Sequence, residues 1–271
     1  MANGSSRAST SAKYSELITM KKIKKKKPSV QKMVPTFILG WTNGEPPPPG
    51  FLAAWFDRHY GGPLTIRFWG TVGHLHFDAV HTSWSAPIDL APSEDQLNRW
   101  RASLQWDHEH IGIIGALSFT GQDRRDMVLH ATRLAKGIGL LTGGTVFDVA
   151  TGTYLNPSDW QERDLEVFGV EDHVQVEQYE RIEGGRSWLH TRGLTKFGWD
   201  ELEAFRGIGL TDQDCRQCLL DTAEALIREN RNPKVGEQIA IQREPWQVSV
   251  VRHRTDTHYG RSMAFREITW D

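Results

Sequence analysis

SWLHTRGLTKFGWDELE, residues 187–203, is the stretch of this chain that says most about its fold. It begins with apolar residues that indicate a strand and continues into His190. Gly193 and Gly198 then bracket Phe197, at a point where the chain must bend or approach another backbone closely. The stretch contains no complete catalytic set, so it predicts architecture rather than chemistry.

His190 has two interpretations. In the functional one, it is a general base that Asp200 or Glu201 orients. In the structural one, His190 and Thr191 bond to the backbone at the turn, while neighbouring aromatic residues fill the core. The structural interpretation is favoured, because no nucleophile or oxyanion donor accompanies these residues.

Outward from this stretch, short strands and helices alternate. Residues 35–165 read as β-α-β-β-(α)-β-α-β-β, an order typical of ferredoxin-like sheets, and residues 187–270 add a strand, a capped helix and three late strands. The pattern predicts an α+β fold with mixed or antiparallel sheets, helices packed on one face and a ferredoxin-like first half. It also predicts an α+β domain at 34–165, followed at 166–271 by a second α+β domain or a continuation of the same fold.

The composition is that of a globular protein, with 38% hydrophobic and 24% charged residues in a chain of 271. No apolar run approaches the roughly 18 residues of a membrane span, and no secretory signal is recognisable. Cys215 and Cys218 cannot form a disulfide framework, which favours a reducing compartment and predicts a cytoplasmic protein. Their spacing suits a redox pair or half a zinc site, but it falls inside a predicted helix, so at least one of them is expected in the core.

The net charge of −2 conceals two oppositely charged parts. Residues 1–33 contain nine Lys or Arg and one acidic residue, a net charge of +8, which leaves 23 basic and 33 acidic residues, a net charge of −10, in residues 34–271. The start of this basic tail is almost free of apolar residues and is predicted to be disordered. Four interpretations of the tail are open. It is a solvated end, or a segment assigned from a start codon upstream of the true start at Met20 or Met33, or a tether to nucleic acid or an anionic surface, or a nuclear-import signal. The opposite charges also permit transient self-association.

The sharpest chemical hypothesis rests on two pairs of histidines, each pair two residues apart. The pairs are His74 with His76, and His108 with His110. Residues two apart on a strand point to the same face, so His74 and His76 share one face. His108 and His110 do likewise if residues 107–110 form the start of the strand at 111–119. If the strands are neighbours, four imidazoles converge, and zinc accepts such ligands, with Asp107 or Glu109 as a nearby base. Histidines satisfied by neighbouring groups are the commoner case, and no HExxH motif supports the metal site.

Four segments share their order with a known family. They are Ala-Pro-Ile at 86–88, the apolar strand at 111–119, Gly-Gly-Thr-Val-Phe-Asp-Val-Ala-Thr-Gly at 143–152 and the His-Thr-x-Gly…Phe-Gly segment within 190–198. This order resembles a bacterial family of uncharacterised α+β proteins, a domain of unknown function, over roughly residues 80–205. Asp89 departs from the Ala-Pro-Ile-Pro segment of that family. The resemblance implies an α+β scaffold of the toxin-immunity kind and transfers no catalytic residue.

Two functions are open from the sequence. An acidic body rich in tryptophan, without an ordered catalytic set, suits a cytosolic protein-interaction module of the immunity or defence type that binds a basic partner surface. The alternative is a metal-dependent hydrolase that uses the paired histidines, with zinc as the possible cofactor; no other cofactor is expected. Zinc that survives dialysis favours the hydrolase, and a co-purifying protein favours the interaction module.

Overall fold

The computed structural model describes residues 35–42, 44–68, 75–104, 106, 108–115, 118–119, 124–180, 187–206, 211–242, 247–258 and 261–270. The predicted basic tail, His74 and Asp107 lie outside these residues. Residues 33–271 form one compact unit with two sheets, each packed against helices, which confirms the predicted α+β class. Within the described part of the chain, no helix is long and apolar enough to cross a membrane.

The first sheet has eight strands within the described residues. In chain order they are β1 (Pro35–Trp41), β2 (Thr65–Phe68), β3 (His76–Val80), β4 (Trp84–Asp89), β5 (His110–Gly115), β6 (Ser118–Phe119), β7 (Thr145–Asp148) and β8 (Thr153–Leu155). Their spatial order is β2-β3-β4-β5-β1-β7-β8, with β6 paired to β4. All of these pairings are antiparallel.

Helices cover both faces of the first sheet. They are α1 (Pro49–Tyr60), α2 (Glu94–Leu104), α3 (Arg124–Thr142) and the short α4 (Pro157–Gln161). Phe37 and Leu39 of β1 pack with α1 and α3, whereas Ile38 packs on the opposite face with side chains of α2. The predicted packing on one face therefore holds for α1 and α3 but not for α2. The reason is that β1 is central and apolar on both sides, so both faces need cover.

The ferredoxin-like first half is not confirmed. In that arrangement, a helix joins two parallel strands with one strand between them. Here α1 joins β1 to β2, and three strands, β5, β4 and β3, lie between them. The predicted order of elements agrees with the structure except that β4 was not predicted and that β5 and β6 stand where one strand was predicted at 111–119. The positions of the strands in the sheet were not predicted.

The second sheet has six strands in the described residues. In chain order they are β9 (Gln175–Glu180), β10 (Ser187–Arg192), β11 (Glu201–Phe205), β12 (Gln238–Ala240), β13 (Gln247–His258) and β14 (Arg261–Trp270). Their spatial order is β12-β13-β14-β11-β10-β9. The pairing of β11 with β14 is parallel, and the others are antiparallel.

One long helix, α5 (Asp212–Glu229), covers one face of the second sheet. A capping box starts it, since Thr211 and Asp214 bond to each other's backbone N–H groups, and Asn230 ends it in the left-handed conformation. Cys215 and Cys218 lie on its buried side, which confirms the prediction of a core cysteine. Burial raises the pKa of the Cys215 thiol, which disfavours the reactive thiolate.

Candidate functional site

The second sheet has aromatic and charged side chains on the face opposite α5, and we name this the polar face. Its members come from β9, β10, β11, β13 and β14. They are Glu177, Tyr179, Trp188, His190, Arg192, Glu203, Arg254 and Phe265. Alternation along a strand places them together, because every second side chain points to the same face.

Glu203 and Arg254 form an ion pair at the centre of the polar face. The Arg254 guanidinium donates from Nε to Glu203 Oε1 at 2.7 Å and from Nη2 to Oε2 at 2.5 Å. The indole N–H of Trp188 donates to the same carboxylate at 2.8 Å. The bonds to Glu203 raise the pKa of Arg254, so the guanidinium stays charged. The fully buried Glu203 therefore has both of its oxygens bonded.

His190 lies in a second polar group, toward β9. Its Nε2 is 3.5 Å from Glu177 Oε2, and its Nδ1 is 2.9 Å from the carbonyl oxygen of Thr191. Arg192 donates to Glu177 Oε1 at 2.9 Å, and Tyr179 donates to Oε2 at 3.0 Å. Burial acts to raise the pKa of Glu177, but the bonds from Arg192 and Tyr179 and the charge of Arg192 lower it. Glu177 is thus held as a carboxylate, which makes it a weak base.

Stacked rings join these two polar groups. The rings of Tyr179 and His190 are parallel, with centroids 5.7 Å apart, and Trp188 lies 4.5 Å from His190. Phe265 meets both Trp188 and His190 edge to face. The Arg254 guanidinium lies over the Trp188 and Phe265 rings, 5.4 and 5.0 Å from their centroids. His190 is fully buried among these rings.

Glu201 accounts for the pattern of the 187–203 stretch. Its buried carboxylate accepts bonds from the N–H groups of Gly193, Leu194 and Thr195 and from the Thr191 hydroxyl. Burial raises the pKa of Glu201, and these four hydrogen bonds act to lower it. The chain after β10 is thereby folded into a short 3-10 helix, Leu194–Phe197, around one carboxylate.

These contacts agree with the structural interpretation of His190. Glu201 anchors the turn instead of orienting the histidine, and Asp200 pairs with Arg266 and His253 on another part of the sheet. A general base must reach the proton that it removes, and a fully buried imidazole does not. The polar face is therefore a network that rigidifies the second sheet.

The structure separates the described histidines of the predicted metal site. His76 of β3 lies opposite Asp89 of β4, with 3.7 Å between Nδ1 and Oδ2. His110 of β5 stacks on Trp41, whereas His108 precedes the strand and packs over Gly40, on the other face.

Because β4 lies between β3 and β5, His76 and His110 are about 14 Å apart by strand spacing and rise. Among the described residues, no three His, Cys, Asp or Glu side chains could hold one metal ion. The zinc site stays a prediction that the described residues do not support.

Two other histidines do meet. The rings of His81, Trp84 and His130 stack on one another, with centroid distances of 5.4 Å from His81 to Trp84, 4.6 Å from Trp84 to His130 and 6.0 Å between the two imidazoles. Arg133 lies 3.3 Å from His130 Nδ1, and its guanidinium is 4.5 Å from the centre of the Tyr60 ring. Burial, followed by the charges of Arg133 and His81, lowers the pKa of His130 to about 3, so the ring is neutral. The sequence contained no spacing that connects His81 with His130, which are 49 positions apart.

The long hairpin of β13 and β14 extends beyond its neighbours. Strand β12 pairs with β13 only at residues 247–249, and β11 pairs with β14 only at residues 265–267. Residues 252–254 pair with residues 265–267, which β11 joins on the other side. Residues 255–258 pair with residues 261–264, and within the described residues no other strand joins these two segments. We name these two segments the ribbon. A register shift between Val250 and Arg252 marks a bulge at its base.

Comparisons with protein-family models, with curated proteins and with solved structures found no match to this chain. The resemblance to a bacterial family of unknown function therefore stays a prediction. The functional argument rests on the geometry of the two sheets and of the ribbon.

Proposed function

We propose that this protein is a cytosolic protein-interaction module that binds its partner through the ribbon. A two-stranded hairpin by itself is marginally stable in water, and a third strand or a packed face is needed to hold it. The ribbon has four residue pairs, from Thr255 with Ala264 to His258 with Arg261, and no third strand in the described residues. A partner that adds a strand or covers a face supplies what is missing.

The exposure of the ribbon supports this proposal. Thr255, Asp256, Thr257 and Ser262 are exposed and Met263 and Ala264 are half-buried, while Arg254, at the base of the ribbon, turns inward to the polar face. The polar face holds the base of the ribbon rigid, because Arg254 of β13 and Phe265 of β14 belong to its network. A rigid, projecting edge suits strand addition, a common mode of protein recognition.

The immunity or defence type belongs to this proposal as its narrower form. It comes from the resemblance of the 80–205 segments, and it implies that the partner is the product of an adjacent gene. The acidic charge of residues 34–271 suits a basic partner surface, as the sequence predicts. Co-purification of the product of an adjacent gene would support the immunity or defence type. Its absence from every preparation would leave only the proposal of a protein-interaction module.

Site-specific photo-crosslinking tests the proposal. A photoreactive amino acid at Thr255, exposed on the ribbon, is expected to give a covalent adduct of constant mass in the native host cell. The same group at Glu224, exposed on α5, is the matched control and is expected to give none. Equal adducts at both positions, or none at Thr255, would contradict the ribbon as the binding surface.

A further inference from the structure

We infer that the outer side of helix α1 docks on an anionic membrane surface, to which the basic residues 1–33 bind as well. The occupant is the headgroup region of a lipid bilayer that contains acidic lipids. The docking surface is separate from the ribbon, so the inference does not depend on the proposed function.

The outer side of α1 is apolar and basic. Phe51 is 64% exposed, although phenylalanine is normally a core residue. Ala54 is exposed one turn later, and Arg58 and His59 are exposed at the end of the helix. Trp55 is half-buried, and its ring lies 4.6 Å from that of His59. We name these five residues the α1 stripe. Aromatic residues with cations beside them are typical of helices that lie in a membrane interface.

The charges of α1 suit an acidic headgroup. Arg58 has no hydrogen-bond or ion-pair partner among the described residues, so its charge is free to meet a lipid phosphate or carboxylate. Asp57 is the one acidic residue of the helix. Its Oδ1 already accepts a bond from the N–H of Leu64 at 2.8 Å, which holds this carboxylate to the chain that follows the helix.

The direction of α1 brings its basic end toward the start of β1. Four antiparallel pairings separate β1 from β2, so these two strands are parallel. The helix that joins them therefore runs back along the sheet, toward the end at which Pro35 begins β1. Lys27 is eight residues before Pro35, a span of at most about 28 Å. The lysines of the tail are thus within reach of a bilayer that contacts the α1 stripe.

Charge selects an anionic bilayer as the occupant. The tail has six lysines in seven consecutive residues, namely Lys21, Lys22, Lys24, Lys25, Lys26 and Lys27. Clusters of about four to eight Lys or Arg bind acidic headgroups. Residues 34–271 have a net charge of −10, but charges more than about 10 Å from the bilayer are largely screened at about 0.1 M salt. Nucleic acid would attract the same lysines, but its phosphates offer no apolar environment to Phe51 and Ala54.

Co-sedimentation of the full chain with vesicles tests the inference. Vesicles of phosphatidylcholine with about 30% phosphatidylserine are expected to bind the chain at least about tenfold more tightly than vesicles of phosphatidylcholine alone. Phe51→Glu is expected to weaken this binding at least about tenfold, because the bilayer loses an apolar side chain and meets a like charge. Val235→Glu, at a residue that is 53% exposed in the loop before β12, is the matched control and is expected to have no effect. Circular dichroism checks that each variant is folded.

Two further measurements separate the helix from the tail. Replacement of Lys24, Lys25, Lys26 and Lys27 by glutamine is expected to weaken vesicle binding at least about tenfold and to reduce its dependence on salt. A fluorophore that reports polarity is attached to Ala54→Cys, and its emission is expected to shift to the blue on phosphatidylserine vesicles. The same label on Glu224→Cys, on exposed α5, is expected to show no shift. Cys215 and Cys218 are buried, so the label is directed to the introduced thiol.

Three outcomes would overturn the inference. The first is a full chain that does not bind phosphatidylserine vesicles. The second is binding that requires the four lysines but neither responds to Phe51→Glu nor shifts the label at Ala54→Cys, because the tail alone would then hold the membrane. The third is tighter binding to a short nucleic-acid duplex than to the vesicles, unaffected by Phe51→Glu, which would make the tail a nucleic-acid tether.

Discussion

Glu201 is the residue on which the 187–203 stretch depends. Its carboxylate holds the backbone of Gly193, Leu194 and Thr195 from a position six to eight residues later. The N–H groups of Gly193 and Leu194 are buried, and each would cost free energy if left without an acceptor. One side chain therefore decides whether the chain leaves β10 as a tight turn.

Replacement of Glu201 by alanine is expected to lower the free energy of unfolding by about 3 kcal/mol or more, because several buried donors lose their acceptor at once. Urea denaturation monitored by tryptophan fluorescence measures this. Glu224→Ala, an exposed glutamate of α5, is the matched control and is expected to change the value by less than about 0.5 kcal/mol. Equal effects for the two variants would show that Glu201 does not anchor the turn.

The glycines of this turn were predictable from the sequence, but their partners were not. Gly193 has a φ of +125°, and a Cβ there would lie 2.2 Å from the carbonyl oxygen of His173; Gly198 is left-handed with a φ of +76°. Both conformations favour glycine, as the sequence predicts. His173 and Glu201 are placed by tertiary packing, so no local pattern revealed their contacts with the turn.

His130 is expected to make stability fall in acid. Its pKa in the folded chain is lowered to about 3, chiefly by burial, whereas an unfolded histidine titrates near about 6.5. The stability from the neutral ring is therefore complete above about pH 6.5 and is lost as the pH falls toward about 3. His130→Phe keeps a stacking ring that cannot be protonated.

The measurement is the difference in Tm between about pH 7.5 and pH 5, in the wild type and in His130→Phe. A smaller difference is expected in the variant. His173 is also buried, and burial and the charges of Lys196 and Arg163 lower its pKa, so part of the acid sensitivity should remain. The same difference in both proteins would show that protonation of His130 does not contribute.

At the scale of elements, capped helices were predictable, whereas strands β4 and β11 were missed. Thr211 with Asp214 and Pro157 after Asn156 mark the starts of α5 and α4 in the sequence, and both helices begin there. Strand β11 was missed because Glu201 and Glu203 read as a polar surface, although both are fully buried. Their partners come from distant positions, such as Arg254, 51 residues later. The alternation of Glu201-Leu202-Glu203-Ala204 was the available signal, and it has the period of a strand.

The position of β4 between β3 and β5 gives a prediction for the metal hypothesis. Because His76 is separated from His108 and His110, purified protein is expected to contain far less than one zinc per chain after dialysis. Elemental analysis measures the zinc content. Protein made in medium with added zinc is the positive condition. Stoichiometric zinc that is lost in His110→Ala, but not in a His59→Ala control, would support the alternative function, a metal-dependent hydrolase.

At the scale of the whole molecule, a buried ion pair connects the two sheets. Lys196, in the 3-10 helix after β10, donates to Asp148 at the end of β7, with 2.6 Å between Nζ and Oδ2. Both side chains are nearly buried. The other oxygen of Asp148 accepts bonds from the N–H groups of Ala150 and Thr151. The contact joins residues 48 positions apart, and no sequence pattern indicated it.

Removal of one member of this pair is expected to weaken both sheets together. Lys196→Met leaves Asp148 as a buried carboxylate without its cation, which should lower the free energy of unfolding by about 3 to 5 kcal/mol. Asp148→Asn combined with Lys196→Met removes both charges and keeps the acceptor for Ala150 and Thr151, so the double variant should be more stable than Lys196→Met alone.

Urea denaturation followed in parallel by far-UV circular dichroism and by tryptophan fluorescence should give one coincident transition for the wild type, because the pair couples the two cores. Two separate transitions in the wild type, or a double variant less stable than Lys196→Met, would show that this contact does not hold the sheets together.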